Sequence, residues 1–119
     1  MTKTFERWFR KTELTEESLR NAVLEMAVGL IDADLGAGLF KKRVALEGRG
    51  KRAGARTLVA GNLDNRWVFL FGFAKNERAN VSDRELQALR ITGRIFLNWS
   101  AAEISTALQE GHLKEITYG

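Results

Sequence analysis

An α+β domain built on a small antiparallel-rich twisted sheet, with helices packed mainly on one face, is the fold that the sequence predicts. Three observations predict it. Strand-like apolar runs crowd between Leu39 and Phe73, helical periods lie on either side of them, and the connections between the runs are short and rich in Gly and Asn. With 119 residues the chain has the length of one domain and can bury roughly two thirds of its unfolded surface, so a single domain over 1–119 is expected.

Each element follows from its own pattern. Thr2 to Phe9 alternates, with Phe5, Arg7 and Phe9 on one side, and is expected as a first strand. Thr15 is placed to cap a helix whose first turn holds Glu16 and Glu17. Leu19, Val23, Met26 and Leu30 then recur as one apolar stripe, and Gly29 stands where a left-handed residue would stop the helix. After the Gly36-Ala37-Gly38 turn, Leu39 to Leu46 reads as a second strand. Gly48, Gly50 and Gly54 punctuate an expected loop before a third strand from Arg56 to Ala60. Gly61 to Asn65 has hairpin composition, and Arg66 to Phe73 is apolar without alternation, as a central strand would be. Ser82 with Glu85, and Ser100 with Glu103, make two capping boxes that open the last helices. The tail from His112 to Gly119 is left open between strand and loose end.

Composition excludes several classes. The chain has no cysteine, which removes disulfides, thiolate metal sites and cysteine nucleophiles, and its one histidine removes nucleases that need a histidine pair. No apolar run approaches the roughly 20 residues of a membrane span, and Lys3, Glu6, Arg7 and Arg10 stand where a signal peptide would be apolar. A cytoplasmic protein with no metal or cofactor and no membrane partner is expected.

Charge is strongly local. Between Lys41 and Arg56 seven cations (Lys41, Lys42, Arg43, Arg49, Lys51, Arg52, Arg56) face one acid, Glu47, a local balance of +6 in a chain whose net charge is +4. Between Thr12 and Gly38 six acids face Arg20 alone, a balance of −5. One face is thereby suited to a polyanion. Strand alternation puts Lys41 and Arg43 on one side, about 7 Å apart, and Phe40, Lys42 and Val44 on the other. Lys51, Arg52 and an exposed Arg56 would complete a cluster matched to a phosphate backbone, with Lys75, Asn76 and Arg78 adding a second group beyond the central strand. A solvated hairpin would carry similar charge. The share of arginines, which fork onto phosphate, and the intervening glycines, which let backbone approach a ligand, favour nucleic acid. The loop lacks the spacing and the Ser/Thr of a nucleotide P-loop.

Lys41-Lys42-Arg43-Val44-Ala45, Gly48-x-Gly50-Lys51, Gly54-Ala55-Arg56-Thr57-Leu58-Val59 and Phe71-Gly72-Phe73-Ala74-Lys75-Asn76-Glu77-Arg78 together resemble the HigB-like branch of the RelE/ParE superfamily of bacterial type II toxins. The likeness extends over most of the chain, including Leu30 to Gly36. It implies a RelE-like, microbial ribonuclease-like fold, cleavage of mRNA in the ribosome, and neutralisation by an antitoxin, a small DNA-binding protein encoded beside it. Lys41 and Arg43 match the basic pair of the second strand and Arg56 the phosphate-binding arginine. Lys75 and Asn76 stand where the better-known RelE toxins have Lys-Arg, and Ser82 where they have tyrosine. Both are departures, which remove a cation and an aromatic platform.

The implied chemistry is metal-independent attack of a ribose 2′-hydroxyl on its own 3′-phosphate. It needs a base, an acid and cations on the developing dianion. Lys41 or Lys51 is the expected base, its ordinary pKa of about 10.4 lowered by crowding cations and desolvation. Arg43 and Arg56 would hold the scissile phosphate, Lys75 is a further catalytic candidate, and Lys42, Arg49, Arg52, Asn76 and Arg78 would bind the RNA. His112 lies in the tail and is left out, so no residue stands out as general acid. Two other readings remain: a non-catalytic toxin of the same fold that inhibits DNA gyrase, and a plain RNA-binding module. Trp67, Phe69, Phe71 and Phe73 read as core rather than stacking platforms.

Overall fold

The computed structural model describes residues 1–46, 50–62, 66–74 and 81–116. Four helices surround one four-stranded antiparallel meander: α1 (Lys3–Phe9), α2 (Glu16–Ala27), β1 (Ala33–Asp34), β2 (Leu39–Leu46), β3 (Gly50–Gly61), β4 (Trp67–Ala74), α3 (Asp83–Asn98) and α4 (Ala101–Gln109), with strand order β1-β2-β3-β4. The expected α+β class and small antiparallel sheet are what the chain forms.

The N-terminal segment is a helix, not the expected strand. Phe5, Trp8 and Phe9 satisfy the i, i+3, i+4 spacing as well as the alternation, and Thr2 decides between the two by accepting the Phe5 N–H at 3.1 Å as N-cap. The aromatic face then closes on the sheet, with the Phe5 ring 5.2 Å from that of Phe69. Gly72 admits this contact, because a Cβ there would overlap the Trp8 ring.

The remaining helices open where their caps stand. Thr15 and Ser18 form a reciprocal box for α2, Ser82 and Glu85 for α3, and Ser100 and Glu103 for α4. Helix α2 buries Leu19, Ala22 and Met26 and stops before Gly29, whose φ is +92°. Leu30, expected on the buried stripe, therefore lies beyond the helix and is exposed. Helix α3 approaches the sheet at Gly93, where a Cβ would lie 2.9 Å from that of Ala60. Its last carbonyls are held by the Arg66 guanidinium, which donates to Phe96 O at 3.1 Å, Leu97 O at 3.4 Å and Trp99 O.

The core has two parts separated by the sheet. Val59 packs with Phe5, Leu19, Met26, Val44 and Phe69, whereas its neighbours Leu58 and Ala60 pack with Leu39, Leu70, Phe73 and Ala107. Successive strand residues face opposite ways, so α1 and α2 cover one face and α3 and α4 the other. The helices thus divide between the faces instead of lying mainly on one. The glycine-rich stretch expected as a loop is strand from Gly50 onward. Gly54 permits the pairing, since a Cβ there would overlap the Val44 carbonyl. In the tail Leu113 is buried and bridges Thr2. No helix among the described residues is long and apolar enough to cross a membrane.

Candidate nucleic-acid interface

The antiparallel register of β2 and β3 sets Arg43 directly opposite Arg56 and Lys41 opposite Leu58. Directly paired residues point to one face, so Lys41, Arg43 and Arg56 share the face that also carries Phe73, the partner of Arg56 on β4. Lys41 and Arg43 are separated by about 7 Å along the strand, and the two arginines by about 5 Å at Cβ across it. Like charges in that position repel, and no acid separates them in the strand pairing.

The two guanidiniums have different settings. Arg43 is half-exposed and positioned by Asp32: one carboxylate oxygen accepts its backbone N–H at 2.6 Å, and the other lies 3.6 Å from Nε. Arg56, expected to be exposed, is only 7% exposed, and its buried Nη1 has no hydrogen-bond partner among the described residues. A buried donor left unsatisfied costs about 1 to 3 kcal/mol, and more when charged. An anionic oxygen entering beside Arg43 would satisfy that donor and relieve the repulsion together. The Lys41 side chain, half-buried on the same face, has no ion-pair or hydrogen-bond partner among the described residues.

Lys42 does not belong to this group. Its side chain is 3% exposed, on the opposite face, where Nζ lies 2.7 Å from Glu25 and donates to Leu30 O at 2.8 Å. The ammonium ties the end of α2 to β2, and its expected place among the RNA contacts is corrected to a structural one. Thr57, fully buried beside it, donates to the Lys42 carbonyl at 2.8 Å.

Arg49, Lys75, Asn76 and Arg78, and the side chains of Lys51 and Arg52, lie outside the described residues. Ser82, at the position matched to a family tyrosine, uses its hydroxyl to cap α3 by accepting the Glu85 N–H at 3.2 Å. His112 is exposed, with Nε2 3.3 Å from a Glu110 carboxylate oxygen. Asp32 escaped the sequence reading, which assigned it to an acidic region away from the cations. The glycine turn after Asp34 was the available signal, because folding back there brings Asp32 to Arg43.

The family model described as the RelE toxin of the RelE / RelB toxin-antitoxin system matches residues 1–116. No curated protein matches the sequence.

Proposed function

Because the chain belongs to the RelE toxin family, we propose that it is the toxin of a type II pair that cleaves mRNA on the ribosome, as in the HigB-like branch, acting as one cytoplasmic domain over 1–119 whose partner is a small DNA-binding antitoxin. The observation that carries the proposal is the facing pair Arg43 and Arg56, with Lys41 beside them and Arg56 Nη1 buried and unsatisfied among the described residues.

A ribose 2′-oxygen attacks the adjacent phosphorus as its proton passes to a base, the 5′-oxygen of the next nucleotide leaves and takes a proton from water, and the products are a 2′,3′-cyclic phosphate and a 5′-hydroxyl. Arg43 and Arg56 bind the non-bridging oxygens, where charge grows as the fifth bond to phosphorus forms. One well-placed donor of this kind contributes about 3 to 4 kcal/mol to the transition state. Lys41, or Lys51 as the alternative, takes the 2′-hydroxyl proton. Lys75 adds charge at the scissile phosphate, and Arg49, Arg52, Asn76 and Arg78 contact flanking RNA. Lys41 receives support from its place on the arginine face.

The test is a translating extract supplied with a defined messenger. Fragments ending in 2′,3′-cyclic phosphate, abolished by Arg43→Ala, support the reading. An intact messenger overturns it, and with stalled DNA supercoiling it favours gyrase inhibition instead.

A further inference from the structure

Asp32 is the acid that the fold brings to the site cations, and it does so at the outer edge of β2. It stands immediately before β1, whose pairing begins with Ala33 opposite Lys41. The Asp32 N–H donates to Lys41 O at 3.1 Å, and Oδ2 accepts the Arg43 N–H at 2.6 Å. One residue therefore satisfies the backbone edge at both site residues of β2. At Arg43 a carboxylate oxygen takes the place of the carbonyl that a neighbouring strand would supply.

The order across the sheet decides what this carboxylate does. Strand β2 lies between β1 and β3, so Arg43 stands between Asp32 on one side and Arg56 on the other. Arg56 repels the facing guanidinium, and a half-exposed arginine has many rotamers by which to turn away into solvent. Asp32 Oδ1, 3.6 Å from Nε, gives Arg43 a fixed counter-charge on the side away from Arg56. The attraction falls on Nε, and neither Nη of Arg43 has a partner among the described residues. The forked end of the side chain stays available to an anion. We infer that Asp32 is a positioning residue for RNA cleavage, holding Arg43 apart from Arg56 so that one phosphate enters between their guanidiniums. The inference rests on the ribonuclease reading and deepens it.

The test is Asp32→Asn, whose amide oxygen still accepts the Arg43 N–H while the charge is gone, so the variant keeps its fold, which its amide spectrum reports. Three readouts are taken: the Arg43 Nε–H resonance of the 15N-labelled free chain, the cleavage rate at saturating messenger in the translating extract, and the affinity for an oligoribonucleotide 2′-O-methylated at the cleavage position. The variant should shift the Arg43 resonance and cleave about 10- to 100-fold more slowly. It should bind the oligoribonucleotide at least as tightly, because an acid has left an anion site. A merely structural acid would lower the folded fraction without this split between rate and affinity. While the wild type cleaves, undiminished cleavage by the variant, slower cleavage with the Arg43 resonance unmoved, or binding weakened as much as the rate overturns the inference alone. A messenger left intact by the wild type overturns the ribonuclease reading and this role with it.

Discussion

Replacing Arg56 by Met should raise stability while removing activity. The substitution keeps an apolar stem of similar length and deletes a guanidinium whose Nη1 is buried without a partner among the described residues. The unsatisfied donor costs about 1 to 3 kcal/mol, and the facing Arg43 adds about 0.2 to 1 kcal/mol of like-charge repulsion. Methionine packs about as much apolar surface as the arginine stem, so that term changes little. The variant should therefore gain roughly 1 to 4 kcal/mol, or about 4 to 14 °C in Tm, in urea and thermal unfolding followed by circular dichroism. RNA cleavage should fall by about 10²- to 10³-fold through loss of one charged donor. A loss of more than about 1 kcal/mol would show that the guanidinium is satisfied in the folded chain, and undiminished cleavage would remove Arg56 from the site.

Lys42→Met should behave in the opposite way, losing roughly 2 kcal/mol in chemical denaturation, because Glu25 and Leu30 O lose their shared donor, while cleavage by the folded fraction is unchanged. Arg66→Ala should cost about 2 to 3 kcal/mol and speed amide exchange at the end of α3, whose carbonyls it caps. Burial opposes ionisation of Glu6, but the hydrogen bond and charge of Lys114, together with Arg10, outweigh it and hold the carboxyl below its ordinary value of 4.5. A depressed carboxyl stabilises the fold above its unfolded pKa and ceases to do so as pH falls through the folded one. Lys114→Met should accordingly raise the Glu6 pKa in an NMR titration and lower the denaturation midpoint at neutral pH, with the difference vanishing in acid.

What could be read from the sequence was what short-range chemistry decides. Ser82 with Glu85 and Ser100 with Glu103 announce their helices because the cap and its partner lie three residues apart. Leu39 to Leu46 announces its strand because nothing within it competes. Thr2 to Phe9 is ambiguous since its aromatics fit both periods, and contact with Phe69, some 60 residues away, accompanies the helical outcome. Gly50 to Gly54 reads as loop by composition, yet pairing with β2 extends the strand through it. At the candidate site, alternation was enough to separate Lys41 and Arg43 from Lys42. The burial of Arg56 and its meeting with Arg43 depend on the register between strands, and the hold of Asp32 on Arg43 depends on β1 folding back onto β2. No local pattern encodes those long-range pairings.

The most direct measurement records the side-chain Nε–H resonances of Arg43 and Arg56 while an oligoribonucleotide with a 2′-O-methyl group at the cleavage position is added. One phosphate held between them should shift both resonances along the same binding curve, and the shared curve should weaken steeply with salt. Movement of Arg43 alone, or two curves with different midpoints, would contradict a shared phosphate site.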